Sequence, residues 1–485
     1  MKKSVSATIW SIFDRVWAQI VGFLIGIVLA RLLTPEDYGL VGISLVFIAF
    51  ANVFIEAGFS NALIRKLDRS QSDYSTAFHF NAVMGVAMYA ILYFCAPLIA
   101  DYFENDELVL LTRIVSITIV LNSLCIVQNA ILTIELRMKE QAIINIAAQI
   151  PSGLLAIYLA YQGLGIYALA VQTVFAAALR TIIFSMRAKW VPSLEFNKQS
   201  MKYLWGFGSK LIGANFLGTF FNEIYSVLIG KYIGKTDLGL YSKGRSLSTQ
   251  SDTICNGVVQ KVVLPLLAQY QNDTNVLKLK YRELTQIITC VMTLVSGVII
   301  VTAKPLILII WGEKWVGTVP VLQLLILANV VSYVSYLALV LLQIINHTEY
   351  TLKLEFIKKP VFFIIILLSL RYGLYGLLCS LIINSLLATL VNISAPWKYI
   401  GYTYCEQFID VFKYVIAWII GSIIVFGLFE FWNMNLILDL ILRAGLMTSI
   451  YIIVLLLMKD KILIKYRDIA INIINTKKKG DDRQG

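Results

Sequence analysis

Ala30 to Val41 reads ARLLTPEDYGLV, and Gly230 to Tyr241, two hundred residues later, reads GKYIGKTDLGLY. Asp37 aligns with Asp237, Gly39 with Gly239 and Leu40 with Leu240, and Arg31 faces Lys231. A common need for a capping Asp and a Gly at a tight turn can produce so short a match. Its meaning therefore depends on where the two copies fall, and both fall between long apolar stretches. The chain of 485 residues is 59% hydrophobic and only 14% charged, with a mean hydropathy of +0.77, whereas soluble domains carry about 25% charge. Too little charge is left to coat this apolar mass in water, so lipid is its solvent.

A bilayer core of about 30 Å needs about 20 residues of helix. Cutting the chain at its charged and turn-rich breaks predicts an all-α, polytopic membrane protein of fourteen spans. The first seven run over Thr8 to Leu33, Tyr38 to Ile64, Tyr74 to Ala100, Leu108 to Ile134, Gln141 to Tyr161, Ile166 to Met186 and Tyr203 to Ile229. The second seven run over Leu238 to Ala268, Leu284 to Trp311, Val319 to Ile345, Tyr350 to Leu370, Leu374 to Ser394, Phe408 to Leu428 and Leu436 to Met458. Span eight is the weakest by hydropathy, because Ser242 to Asp252 is polar along most of its length. Lys2 and Lys3 before an apolar stretch look like a signal peptide, but Asp14 and Arg15 interrupt it and the apolar run continues to Leu33. It reads as a retained first span.

Charge supplies an independent check, because short cytoplasmic loops collect Lys and Arg. With both termini inside, the inner segments hold twenty-four Lys and Arg, among them Arg65, Lys66, Arg69, Arg137, Lys139 and eight in the tail after Met458. The outer loops hold only Arg31, Lys231, Lys235, Lys314 and Arg371. Losing span eight would scramble this alternation, so the charges around it support it. Much of the formal +12 is then a topology signal, and a nucleic-acid partner is not needed to explain it.

Topology gives the repeat its weight. Six spans separate the two copies, which places both turns on the same face, as in parallel repeats related by an axis along the membrane normal. The expected organisation is an N-terminal lobe over residues 1–200 with spans one to six, and a C-terminal lobe over 201–400 with spans seven to twelve. A central cavity lies between them. Spans thirteen and fourteen at 401–458 form an appendage, followed by a basic cytoplasmic tail at 459–485 that lies on the anionic inner leaflet.

Chemistry-bearing motifs are few. Six cysteines stand singly without metal spacing, and His79 and His347 are far apart, so no metal or other cofactor is expected. Gly230 to Thr236 is one residue short of a P-loop and follows no strand. Catalytic-loop motifs are absent and the loops are short, which argues against an enzyme. Ionisable residues inside spans are expensive and need a partner, a shallow position or a cavity. Lys304, Lys358, Lys359, Lys413 and Arg443 are placed to snorkel or pair locally, Arg443 with Asp439 one turn away.

A cluster of polar and charged residues falls in the first two spans of each lobe: Asp14, Arg15, Gln19 and Glu56 in one, and Lys210, Glu223, Lys243, Arg245, Asp252 and Lys261 in the other. By depth, Arg15 can meet Glu56 near the inner face, and Glu223 can meet Arg245 near the outer one. These are either charges lining the two halves of one cavity or ion pairs locking neighbouring helices. Basic groups facing a wet cavity suit an anionic substrate, above all a phosphate or diphosphate.

The ARLLTPEDYG core within Gly26 to Val46, the GKYIGKTDLGLYSKGRSL run from Gly230 to Leu247 and the fourteen spans resemble a known family. It is the polysaccharide transporter branch of the multidrug/oligosaccharidyl-lipid/polysaccharide exporter superfamily, with its Wzx-type flippases of O-antigen, colanic-acid and teichuronic-acid type. The resemblance covers essentially the whole chain. It implies a bacterial inner-membrane protein that moves an undecaprenyl-diphosphate-linked oligosaccharide outward by alternating access; the driving force expected is an ion gradient, Na+ or H+, or the substrate's own gradient, and polysaccharide polymerase machinery is an expected partner. Arg15, Lys210, Lys243 and Arg245 are then the positions that can supply a cationic substrate path, and Glu56, Glu223 and Asp252 the candidates for ion coupling. Two rivals stay open: a multidrug or cation antiporter of the same superfamily, which would favour an acidic, aromatic cavity, and a polysaccharide polymerase or ligase, which would need a long external loop.

Overall fold

Long apolar runs broken by capping residues fold here into helices alone. The computed structural model describes residues 2–56, 59–429 and 434–465, except for the side chains at 2–9, 11–12, 15–16, 207, 210, 254, 258 and 348. Among the described residues there is no strand. The first half contains α1 (Lys2–Leu32), α2 (Pro35–Ile55), the short α3 (Phe59–Arg65), α4 (Gln71–Phe103), α5 (Glu107–Ile134), α6 (Met138–Tyr161), α7 (Ile166–Ala188), α8 (Lys198–Tyr232) and α9 (Lys235–Val258). The second contains the short α10 (Leu264–Ala268), α11 (Thr274–Ile310), α12 (Thr318–Ile344), α13 (Thr348–Ser369), α14 (Gly373–Asn392), the short α15 (Ser394–Ile400), α16 (Tyr404–Phe429) and α17 (Leu436–Leu457). Fourteen of these described helices have 20 residues or more, one for each predicted span.

Among the described residues, ten helical stretches are long and apolar enough to cross a membrane by length and composition, one of them, Glu349–Ile400, taking in α13, α14 and α15. α1 counts only through its shorter apolar part, Trp17–Leu32, and α8 and α9 are too polar to qualify. A π-turn at Val259–Val263 ends α9. Pro265 follows it and cannot donate the backbone bond that a regular α-turn would take from it.

The chain divides into two compact units, Met1–Ser242 and Lys243–Gly485, with the division inside α9. In unit 1 the loops alternate between a basic end, with Arg65, Lys66, Arg69, Arg137, Arg187 and Lys189, and an opposite end that holds the turns at 33–34, 104–106, 162–165 and 233–234. Capping residues set the helix starts. Thr34 and Asp37 form a capping box on α2, Ser70 and Asp73 another on α4, and the Asn197 side chain caps α8. Small residues bring helices close: a Cβ at Gly85 would strike Ser123 of α5, and one at Gly153 would strike Ile25 of α1. Asp14 accepts a hydrogen bond from Asn145 Nδ2 at 3.1 Å, which ties α1 to α6.

Unit 2 is held by two buried apolar clusters, one around Tyr281, Tyr333, Leu337 and Tyr402, the other around Tyr414, Met447 and Tyr451. Several of its charges pair, as their cost in lipid favours. Arg443 Nε donates to Asp439 Oδ1 at 2.6 Å, as the one-turn spacing implied, and its Nη2 donates to the carbonyl of Phe429 at 3.2 Å. Lys358 Nζ reaches Glu355 at 2.6 Å, Lys413 pairs with Asp460, and Arg282 grips the buried Asp410 together with Gln286 and Tyr402.

Candidate functional site

At the opposite end of unit 1 the two copies of the repeated turn meet. The first turns of α2 and α9 cross so closely that a Cβ on Gly39 would land on the carbonyl of Lys235, and a Cβ on Gly239 would land on the carbonyl of Pro35. The contact is reciprocal at the same offset as the sequence repeat, 35 with 239 and 235 with 39. One Hα of each glycine therefore faces the other helix's backbone oxygen, a weak C–H···O contact that recurs where helices touch. Glycine is required here by close approach, while Asp37 does the capping, with Thr34 Oγ1 donating to Asp37 Oδ2 at 2.7 Å. Gly42 and Gly230 extend the seam, where a Cβ would meet the Leu238 side chain at 3.7 and 3.2 Å.

Charge flanks this crossing. Lys235 Nζ pairs with Glu36 at 2.6 Å, and Lys231 Nζ with Glu104 at 2.8 Å, 5.0 Å from the centroid of the Tyr102 ring. Lys231 holds the exposed Glu104 carboxyl below its ordinary value by hydrogen bond and charge. A cavity of about 250 Å³ opens beside the seam, lined by Leu40, Ile43, Phe103 and the Gly230–Lys235 turn. At Gly234 φ is +148°, which lets the chain pass from α8 into α9 without a side-chain clash.

Deeper in unit 1, α2, α4, α5 and α7 bring polar groups together. Ser44 and Thr112 hydroxyls lie 3.0 Å apart. Asn81, both of whose amide atoms are buried, Gln128 Oε1, Asn52 Oδ1 and Arg180 Nε have no hydrogen-bond partner among the described residues. Arg180 and Glu56 both lie within electrostatic reach of Cys125. Glu56 sits at the C-cap of α2, its backbone N–H donating to the Asn52 carbonyl. Arg15 lies on α1 and Lys210 on α8, with side chains outside those described. Glu223, on α8, accepts from Ser226 Oγ at 3.2 Å.

In unit 2 the polar half of α9 faces its neighbours. Lys243 Nζ lies 5.4 Å from the Trp311 ring centroid and 5.6 Å from that of Trp315, and both indoles are buried. Gly244 allows the approach, because a Cβ there would come within 2.9 Å of Val321. One turn on, Asn329 Nδ2 donates to Ser248 Oγ at 2.9 Å; the next turn brings Ser251 to 3.5 Å from the Tyr333 hydroxyl, which also meets Ser296. Asp252 adjoins this row, with Oδ1 buried and unpartnered among the described residues. Arg245 lies on the same helix, half-buried, and so falls in the other unit from Glu223. These side-chain pairings make a polar α9 tolerable among apolar helices.

Sequence reasoning missed several of these groups. Arg180 carried a usable signal, a charge inside span six, whereas Asn81, Gln128, Asn329 and the two indoles under Lys243 are ordinary residues until the fold gathers them. Among the described residues no cluster of His, Cys, Asp or Glu is suited to a metal ion, and the six cysteines are free.

Several solved structures share the fold. Over 95% of this chain and 100% of the other it superposes on the lipid II flippase MurJ in an inward closed conformation, with a TM-score of 0.70 and 15% identity. An inward-facing MATE family multidrug resistance transporter of the MOP superfamily matches with a TM-score of 0.58 and 16% identity, over 79% of this chain and 94% of that one. Among curated relatives, the teichuronic acid biosynthesis protein TuaB of Bacillus subtilis is 26% identical over 333 residues, 68% of each chain. The lipopolysaccharide biosynthesis protein WzxC of Escherichia coli is 23% identical, over 69% of this chain and 68% of its own. The succinoglycan biosynthesis transport protein ExoT of Rhizobium meliloti is 24% identical, over 66% of this chain and 65% of its own. The family model described as polysaccharide biosynthesis protein matches residues 28–320, a stretch that contains both repeated turns and their crossing. Fourteen long helices, paired charges within them and this match agree: the chain is a multi-pass membrane protein that belongs to the polysaccharide biosynthesis protein family.

Proposed function

We propose that this protein is a flippase for an undecaprenyl-diphosphate-linked oligosaccharide, the repeat unit of a lipopolysaccharide O-antigen, capsule or exopolysaccharide. It moves that unit from the inner to the outer leaflet of a bacterial cytoplasmic membrane by alternating access. The observation that carries the reading is the reciprocal glycine crossing of the two repeated turns. It is a seal made of backbone contacts and exposed ion pairs, worth little each, and so able to open and close without unfolding anything. The basic end of unit 1 faces the cytoplasm and the crossing faces outward, with both termini inside, in keeping with the positive-inside count.

Candidate diphosphate contacts that need no covalent chemistry are Arg15 and Lys210 in unit 1 and, separately, Lys243 and Arg245 in unit 2. Glu56, Glu223 and Asp252 take up the coupling Na+ or H+. The functional halves are residues 1–200 and 201–400, with α16 and α17 as an appendage, and the polymerase machinery receives the product.

Leaflet location of labelled undecaprenyl-diphosphate oligosaccharide in proteoliposomes tests this directly. Wild type should move it, Arg15→Ala and Arg245→Ala should slow the movement by about tenfold or more for each lost charged contact, and an imposed Na+ or H+ gradient should change the rate. Folded wild-type protein that moves no matched glycan lipid, but exports cationic drugs, would sink the reading.

A further inference from the structure

The basic end of unit 1 holds a cavity of about 580 Å³ that none of these roles uses. This lies within the range of about 300–1,000 Å³ usual for small-ligand sites. Its walls are the turn after α3, the start of α4 and the start of α8. The turn is braced from behind, because Arg69 donates to the carbonyls of Leu63 at 2.7 Å and Ile64 at 3.0 Å. A binding wall held this way loses little freedom when a ligand arrives.

The chemistry of the wall selects the ligand. Arg65 and Lys66 are balanced by Asp68 and Asp73, and Lys66 Nζ already sits 2.7 Å from Asp73. An anion site needs a surplus of positive charge, and this wall has none. Instead it offers donors and acceptors of every kind at short range. Asn197 spends its side-chain oxygen on the α8 cap, accepting from Gln199 N at 2.8 Å, and its N–H donors are not needed for that cap. Gln199 and Asp68 are exposed. The Tyr203 ring, 43% exposed, is the aromatic surface of the cavity, with Lys66 Nζ 5.8 Å from its centroid. Carboxylate, amide and guanidinium groups around one amphipathic ring suit a neutral ligand dense in hydroxyls, with C–H faces that rest on the ring.

The geometry points to a sugar subsite: this cavity takes sugar residues of the lipid-linked oligosaccharide at the cytoplasmic face while its diphosphate is held among the spans. The assignment rests on the flippase reading and deepens it, because it locates selection for the glycan in unit 1, apart from recognition of the lipid diphosphate.

The test compares wild type with Asp68→Asn, Gln199→Ala and Tyr203→Ala in proteoliposomes. These side chains are exposed, so the fold should survive their loss. Two substrates are used: the oligosaccharide lipid extracted from the source cells, and undecaprenyl diphosphate carrying a single sugar. Each variant should raise the half-saturating concentration of the full oligosaccharide lipid about threefold to tenfold, the effect of one lost hydrogen bond or ring contact, and leave that of the single-sugar lipid unchanged. Equal effects on both substrates, or on neither, would overturn the sugar assignment while leaving the flippase reading intact. A wild type that moves neither substrate breaks the flippase reading instead. Calorimetry with the glycan released from the same lipid by mild acid, titrated into full-length protein in nanodiscs, still decides on the cavity: binding weakened by the three substitutions supports it, and no binding to wild type refutes it.

Discussion

The two repeated turns do the same geometric task by different chemistry. At the first, Thr34 and Asp37 close a capping box ahead of α2 and Glu36 supplies negative charge. At the second, Gly234 in a left-handed backbone state leads into α9, and Lys231 and Lys235 supply positive charge. Beside the matched Asp37 and Asp237 and the basic Arg31 and Lys231, they share the glycine that meets the other's carbonyl. The repeat thus keeps the residue that sets backbone distance, while Thr34 gives way to Gly234 and the Pro35–Glu36 pair to Lys235–Thr236.

Leucine at Gly39 or Gly239 tests the shared element and should have the largest effect. The side chain would fall on a backbone carbonyl that cannot rotate away, and overpacking of about 1–3 kcal/mol should lower flipping by about tenfold to a hundredfold. The two variants should suffer alike, and a large inequality between them would break the pseudo-symmetry. Thr34→Ala comes next and should act on one turn only. It removes the side-chain cap of α2 and should cost about 1 kcal/mol of stability, read as a lower unfolding midpoint in detergent, with the second turn offering no equivalent site.

Charge reversal is expected to matter less. Glu36→Lys and Lys235→Glu should each weaken the seam by under about 1 kcal/mol, an effect that fades in high salt, and the double reversal should restore it. Failure of the double variant to recover would mean that the pair does not join the two turns. The smallest effect belongs to pH. Because Lys231 lowers the folded-state pKa of Glu104, the pair's contribution is present above the ordinary glutamate value of about 4.3 and is lost as pH falls through the lowered value. Glu104→Gln should remove that acid-side dependence from a thermal-unfolding series, and an unchanged profile would show that the pair is without weight.

Legibility differed sharply between helices and site. Fourteen long helices were readable because lipid forces a crossing to be long, apolar and internally bonded, and loop charge favoured even the polar eighth one. That polarity became intelligible only with Asn329 against Ser248 and the indoles against Lys243. The local partners of Arg443 and Lys358 were legible because they lie one turn away along the same helix. Asn81 and Gln128, on different helices of unit 1, carried no such mark.

By itself the sequence determined the helices, the gathering of basic loops at alternate helix ends and the existence of a repeat at an offset of two hundred residues, because these follow from hydropathy, charge and local capping. Only the tertiary structure decided that Gly39 and Gly239 touch each other's partners, that α9 buries its polar face on α12, and that the starts of α4 and α8 enclose a polar cavity beside the turn after α3. Such contacts join residues a hundred or more positions apart, and the side-chain chemistry of either partner alone does not say which distant surface it will meet.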